Sequence, residues 1–177
     1  MFERIKGLIA GLRNRFGVPA VGLVAICCVT AVGTIEHRSA DGTLLHRETS
    51  TNLITNAGRV YLHTQGYATS GAATNGFCYI ALSNDSVTET AASTTLSNEI
   101  AANGLSRALG TVTLASGSGT STTIAKTFTC ATSAQAAQKA ALFTASSGGT
   151  MNHVLAFTQR SLQVGDTLAI TFTITTS

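Results

Sequence analysis

The chain has 177 residues, which is enough for one ordinary domain and leaves little for a second. Only 11% of its residues are charged, against about 25% in typical soluble domains, and an ion-poor composition is typical of surfaces buried between subunits. The formal net charge of +3 comes entirely from residues 1–16, where four Lys and Arg accompany one Glu. The rest of the chain is neutral and lacks the clustered cations that a phosphate backbone requires, so we expect no nucleic acid partner.

Residues 2–16 form a predicted amphipathic helix, which ends at Gly17 and Pro19. Its apolar side chains recur at spacings of three and four, with basic residues mostly between them: Phe2, Ile5, Leu8, Ile9, Leu12 and Phe16. We interpret this apolar row as an anchor that lies in the groove of a partner protein. The alternative is that the row packs on the chain's own domain.

An uncharged apolar stretch follows from Val18 to Ile35. Its β-branched and glycine-rich content favours a buried or assembly-docked strand. Two other interpretations stay open: a membrane helix with basic residues on one flank, and a secretory signal with a small-residue cleavage site at Val29-Thr30-Ala31. Membrane contact by residues 18–35 is therefore an alternative that we do not favour. We divide the chain into an N-terminal appendage, residues 1–33, and a β domain, residues 34–177.

The residues around Asp41-Gly42 predict a β-hairpin, because this dipeptide is a strong signal for a tight turn between strands. A two-residue loop would place His37 opposite His46 and Glu36 opposite Arg47. The second pair would then form a cross-strand ion pair.

The segment after the hairpin predicts the end of a strand and then one short internal helix, with Asn56 as its N-cap and Gly66 at its end. Strands separated by turn-rich loops then recur at 77–83, 109–115, 122–132, 139–145, 153–159 and 167–175. With the hairpin, about eight strands predict an all-β fold. We expect an antiparallel β-sandwich of jelly-roll or immunoglobulin-like type.

The last predicted strand has the most regular alternation in the chain. Leu168, Ile170, Phe172 and Ile174 lie on one side, and threonines with Ala169 lie on the other. We assign the apolar row to a core, which requires neighbours for this strand on both sides.

The residues that could carry chemistry form no recognisable catalytic or metal-binding pattern. His37 and His46 with Glu48 could reach a metal across the hairpin, but a third ligand in suitable geometry is unsupported, and a polar strand face explains them better. The serines lack a nucleophile motif, and residues 116–121 lack the lysine of a phosphate-binding loop. We expect no catalytic residues, no cofactor and no metal.

The cysteines fall into no metal-ligand spacing. We expect Cys78 and Cys130 to be small buried side chains of strands, and a disulfide between them stays open for an oxidising compartment. The tripeptide Asn84-Asp85-Ser86 is a glycosylation sequon that we interpret as a turn.

Several segments resemble a recurring family of small structural proteins of tailed bacteriophages, which are encoded among head and tail genes. The resembling pieces are RFGV, EHRSADGTLLHRETSTNLITNAG, YIALSNDS, TTLSNEI followed by Arg107, LFTASSGG, and HVLAFTQRSLQVGDTLAITFTIT. The similarity covers most of residues 34–177 and departs from the family around Cys27 and Cys28. It implies a β-sandwich protein of the virion, such as a head decoration, tail or fibre-attachment protein, with no catalytic residues to carry over.

The sequence therefore predicts a non-enzymatic virion protein. Its expected partners are other capsid or tail proteins and further copies of itself in a homo-oligomer. The alternative is a secreted or membrane-anchored bacterial surface protein of pilus-like type.

Overall fold

The computed structural model describes residues 29–58, 76–114 and 121–176. The described part is mostly β-strand, as predicted. Its ten strands are β1 (Val29–Arg38), β2 (Leu44–Thr51), β3 (Leu53–Ile54), β4 (Tyr79–Ser83), β5 (Ala108–Leu109), β6 (Thr111–Leu114), β7 (Ser121–Thr129), β8 (Gln135–Phe143), β9 (Met151–Leu162) and β10 (Thr167–Thr176).

The strands form two sheets of five, and every pairing is antiparallel. Sheet 1 has the order β2-β1-β10-β7-β6, and sheet 2 has the order β3-β9-β8-β4-β5. Strand β10 lies in the middle of sheet 1 between β1 and β7, which confirms that this strand has neighbours on both sides.

The two sheets share one hydrophobic core, because side chains from both belong to a single buried cluster. Sheet 1 contributes Ile35, Ile124, Phe128, Leu168, Ile170 and Phe172, and sheet 2 contributes Ile80, Leu82, Ala137, Ala140, Leu142, Leu155, Phe157 and Leu162. The apolar row predicted for β10 is confirmed from Leu168 to Phe172, whereas Ile174 is only partly buried and packs at the end of the cluster.

The predicted register of the hairpin is confirmed: His37 pairs with His46, and Glu36 with Arg47. The two-residue loop is wrong. Ser39 and Thr43 pair through a backbone hydrogen bond and enclose three residues, with Gly42 in the left-handed region at φ 89°. Compared with a two-residue loop, the three-residue loop shifts the strand register by one residue. An irregularity between His37 and Arg38 shifts the register back, so that His37 still pairs with His46.

The carboxylate of Asp41 fixes the hairpin loop. The hydroxyl of Ser39 and the backbone N–H of Thr43 both donate to it, and these bonds lower the pKa of Asp41 to about 2. Deprotonated Asp41 therefore holds the turn at neutral pH.

At each side of the molecule, the chain passes from one sheet to the other without a long loop. Asn52 separates β2 of sheet 1 from β3 of sheet 2, and Gly110 separates β5 from β6. The predicted strand 109–115 is thus two strands of different sheets. Gly110 is required at the crossing, because a Cβ atom there would lie 2.8 Å from Cγ2 of Ile124.

Strand β1 begins at Val29, within the apolar stretch 18–35. Its side chains alternate: Ala31 and Ile35 are buried, whereas Val32 is 36% exposed. The part of the stretch that the structure describes is therefore a strand, as favoured, but it is not buried on both faces. Among the described residues, no helix has the length and apolar character to cross a bilayer.

The internal helix begins at Asn56 and is described as far as Gly58. The prediction that Asn56 caps it is wrong. The hydroxyl of Thr55 accepts the Gly58 N–H at 3.0 Å and itself donates to the Met151 carbonyl, so Thr55 is the N-cap. The N-terminal helix, with Phe2, Ile5, Leu8, Ile9, Leu12 and Phe16, lies outside the described residues, as does Gly66.

Candidate functional site: two unlike sheet faces

The outer side of sheet 1, which points away from the core, carries mainly threonine. We call it the threonine face. Strand alternation places every second residue there, and cross-strand partners share a side. Its described threonines are Thr34, Thr49, Thr51, Thr111, Thr113, Thr123, Thr127, Thr129, Thr167, Thr171, Thr173 and Thr175. All of them are exposed or half-buried.

The register aligns these residues in rows across all five strands. One row is Thr49, Thr34, Thr171, Ala125 and Thr111, and the next is Thr51, Val32, Thr173, Thr123 and Thr113. Neither row contains an ionisable side chain. The centre of the threonine face is therefore a neutral surface of hydroxyl and methyl groups.

Charged side chains occur at one end of the threonine face. Arg47 Nε lies 3.4 Å from Glu36 Oε1, which confirms the predicted cross-strand ion pair, and Arg38 Nη2 lies 3.4 Å from the other Glu36 oxygen. Both arginine side chains are substantially exposed, so these ion pairs contribute little stability. Their effect is to neutralise Glu36 locally.

The structure does not bring His37, His46 and Glu48 together as ligands. His37 is buried, and its Nε2 lies 3.0 Å from Oδ2 of Asp166 in the turn between β9 and β10. His46 Nε2 instead lies 3.1 Å from Glu48 Oε2. The residues that the structure describes contain no group of three His, Cys, Asp or Glu side chains that could hold a metal ion.

Glu48 links the two sheets at the β2 side. Its carboxylate accepts the backbone N–H of Thr158 in β9 at 3.0 Å as well as the bond from His46. Burial alone would raise the pKa of Glu48, but these hydrogen bonds outweigh it and lower the pKa below the usual value. The ionised Glu48 carboxylate thus satisfies a backbone N–H group on the free side of β9.

The outer side of sheet 2 is covered by residues 84–107, which we call the connection because they join β4 to β5. Leu96 of the connection packs with Ala81, Ala141, Phe143 and Met151 of the sheet in a second buried cluster. This cluster is separate from the shared core. The middle of sheet 2 is therefore buried on both sides.

A buried ion pair joins the connection to the middle of sheet 2. Lys139 Nζ lies 3.0 Å from Glu89 Oε1 and donates to the Val87 carbonyl at 2.9 Å. The two charged side chains are only 4% and 6% exposed. Burial raises the pKa of Glu89, but hydrogen bonds from Ser93, Lys139 and the Ser97 N–H outweigh it, so its pKa is lowered and it stays ionised.

Arg107 forms a second attachment. Its guanidinium binds both carboxylate oxygens of Glu99 and donates to the carbonyls of Ala145 and Gly148 in the β8–β9 turn. It also lies 3.6 Å from the ring centroid of Phe143, a cation–π contact. The Arg107 side chain therefore attaches the connection to strand β8 and to the β8–β9 turn.

A cleft of about 280 Å³ lies between the connection and strands β3, β8 and β9. Asp85, Glu89 and Lys139 are among its lining residues, with apolar Leu53 and Val154 on the sheet side. Lys139 and Glu89 are paired with each other, so their charges are already matched. The Lys139–Glu89 pair is therefore a structural contact in the wall of the cleft.

Both described cysteines are free thiols. Cys130 is buried, as predicted, and burial raises the pKa of its thiol, whereas Cys78 is half-buried. The prediction that both lie in strands is wrong, because Cys78 precedes β4 and Cys130 follows β7. Asn84 of the sequon lies in an exposed position, and its carbonyl accepts a hydrogen bond from the Gln138 side chain.

Sequence reasoning missed Lys139 and Glu89, which are 50 residues apart and meet only in the tertiary structure. It also missed the extent of the threonine face. The alternation of Thr123, Ala125, Thr127 and Thr129 in β7 was a readable signal for part of it.

Comparison with known proteins gives no relative. No family model, no curated protein and no solved structure matches the chain.

Proposed function

We propose that this protein is a non-enzymatic structural component of a tailed-bacteriophage virion. In this proposal it is a head decoration, tail or fibre-attachment protein that assembles through its β domain and its N-terminal segment. The domain would be a β-sandwich of jelly-roll or immunoglobulin-like type, since two antiparallel sheets share one core and strands switch sheets at both sides.

The threonine face is the observation that carries the proposal. A wide β surface without ionisable groups in its central rows has the depletion of charge found in the cores of subunit interfaces. An enzyme would instead require a concave site with polar groups in reactive geometry. A flat neutral face fits assembly with another protein.

Several of the segments on which the resemblance rests contact one another in the fold. Ser83 of YIALSNDS donates to the Ser97 carbonyl of TTLSNEI, and Arg107 joins Glu99 of the same segment to Gly148 of LFTASSGG. Motifs that are far apart in sequence thus meet on the outer side of sheet 2.

The proposed partners are capsid or tail proteins and further copies of this chain, with no nucleic acid and no cofactor. Residues 2–16, with the apolar row from Phe2 to Phe16, would be the anchor in a partner's groove. The proposed location is the virion.

The alternative of a secreted or surface-anchored protein depends on the apolar stretch before β1. Cleavage after Ala31 would remove the first three residues of β1, and those residues pair with Ile174, Thr175 and Thr176 of β10. Processing at that site would therefore shorten a strand of sheet 1. This loss of strand pairing argues against processing at that site and favours the virion proposal.

Fractionation of purified phage particles, followed by mass spectrometry, tests the proposal. We expect the chain to co-purify with heads or tails with its N-terminus intact, and deletion of residues 1–16 to reduce its occupancy on particles. A mature chain that starts near Val32 and occurs in the secreted or cell-surface fraction would support the alternative and contradict the virion role.

A further inference from the structure

We infer that the threonine face binds the same face of a second copy of this chain, so that two sheets stack across a twofold axis. This inference rests on the proposed assembly function and specifies its partner and surface. Thr171 is the central residue: β10 is the middle strand of sheet 1, and Thr171 lies midway between Thr167 and Thr175. A twofold axis through the centre of the face brings Thr171 opposite Thr171.

The charges of the threonine face fit a second copy. Glu36 pairs with both Arg38 and Arg47 on its own surface, which leaves a single net positive charge at this end of the face. A twofold axis that runs across the strands would place the two charged ends at opposite ends of the dimer. The neutral row of Thr171 would then meet itself, and the row of Glu36 and Arg47 would meet the neutral row of Thr173, so no like charges face each other.

The area of the face is close to what a stable dimer requires. The strands of sheet 1 have 8, 10, 10, 9 and 4 residues in sheet order, and at about 3.3 Å along and about 4.8 Å across per residue they give a flat footprint of roughly 650 Å². A typical stable interface buries about 800 Å² per partner, and the corrugated surface of side chains adds to the flat footprint. One threonine face stacked on another thus forms an interface of nearly standard size.

Shape also favours an identical partner. Two copies of one sheet have the same strand spacing and the same twist, so their rows can interdigitate with the strands at about −30° to each other. Threonine side chains are short and permit close approach of the sheets. The outer side of sheet 2 does not compete as a stacking surface, because the chain's own connection covers it.

The test uses the full chain and measures its mass by sedimentation equilibrium up to about 1 mM, a range that detects moderate affinity. We expect the wild type to dimerise. Thr171→Arg and Thr171→Glu should each raise the dissociation constant at least about 100-fold, because like charges would face each other across the axis. An equimolar mixture of the two variants should form a heterodimer, since the opposed charges then attract.

The matched control is Thr95→Arg, which adds the same charge to an exposed threonine of the connection. It should dimerise like the wild type. If Thr171→Arg does not fold, Thr123→Arg places a charge in the neighbouring row of the same face, and a loss of dimer is expected because the arginine would be buried without a counter-charge.

Three results would overturn the inference: a wild type that is monomeric throughout, an oligomer unaffected by Thr171→Arg, or a mixture of the charged variants that stays monomeric. Particle fractionation separates this failure from failure of the proposed function. A chain that is monomeric in solution and present in purified particles would lose the self-stacking interface but keep its role in the virion.

Discussion

The outer sides of the two sheets differ in what covers them. Sheet 2 carries the connection, held by the Lys139–Glu89 pair and the contacts of Arg107, whereas the described side chains of the threonine face are exposed or half-buried. Both sheets have five antiparallel strands, so strand number and pairing do not explain the difference.

Side-chain chemistry explains the difference. Lys139 projects from the middle strand of sheet 2, and a buried ammonium group is tolerated only with an ionised partner and further hydrogen bonds. The central rows of the threonine face consist of hydroxyl and methyl groups. These groups are compatible with contact either to water or to another protein surface. The covered side of sheet 2 thus depends on specific partners for its charged side chain, and the threonine face does not.

Substitution of Lys139 should give the largest effect and is the strongest test of this comparison. Lys139→Met leaves the Glu89 carboxylate buried without its counter-charge, and we expect a loss of about 3–5 kcal/mol in the free energy of unfolding. Urea denaturation measures it. The double variant Lys139→Met with Glu89→Gln should recover much of the loss, because no unpaired charge remains.

Thr171→Val is the matched control on the open face. Valine has similar volume and strand propensity, so unfolding free energy should change by no more than about 0.5 kcal/mol. A loss from Thr171→Val as large as that from Lys139→Met would contradict the contrast between the two faces.

Acid should weaken sheet 2 next. Burial lowers the pKa of His153 in β9 from 6.5 to about 4, so the unfolded chain binds a proton that the folded chain rejects between these values. Stability should be constant above pH 6.5 with respect to this group and should fall by roughly 3 kcal/mol as the pH drops to about 4.

Below that range Glu89 adds to the acid effect. Its folded pKa is lowered, so the stability it contributes is present above its unfolded pKa of 4.5 and is lost as the pH falls through the folded value. Urea unfolding between pH 8 and pH 4 measures the slope, and His153→Gln should flatten it between pH 6.5 and pH 4. An unchanged slope in that variant would show that another group is responsible.

A smaller loss is expected from Arg107→Lys, which keeps the charge but removes the two-oxygen contact with Glu99 and the planar stacking on Phe143. We expect a loss of about 1–2 kcal/mol. Hydrogen exchange should show faster exchange in the connection and in the β8–β9 turn. Equal acceleration in β10 of sheet 1 would indicate a global effect and contradict a local attachment.

Alternation was enough to predict strand β10 and its buried side. Leu168, Ile170 and Phe172 alternate with threonines because successive residues of a strand point to opposite sides, and the structure buries this apolar row. The hairpin register was also predictable from Asp41-Gly42. The length of the hairpin loop was not predictable. A three-residue loop combined with a compensating irregularity pairs His37 with His46, as a two-residue loop would.

The sequence by itself determined the all-β class and the two unlike sides of β10, one apolar and one rich in threonine. Only the tertiary structure decided which strands lie side by side, and therefore that Thr49, Thr34, Thr171 and Thr111 share one row. It also decided that Lys139 meets Glu89. The physical reason is that alternation is set by local backbone geometry, whereas strand order and buried ion pairs depend on contacts between residues distant in sequence.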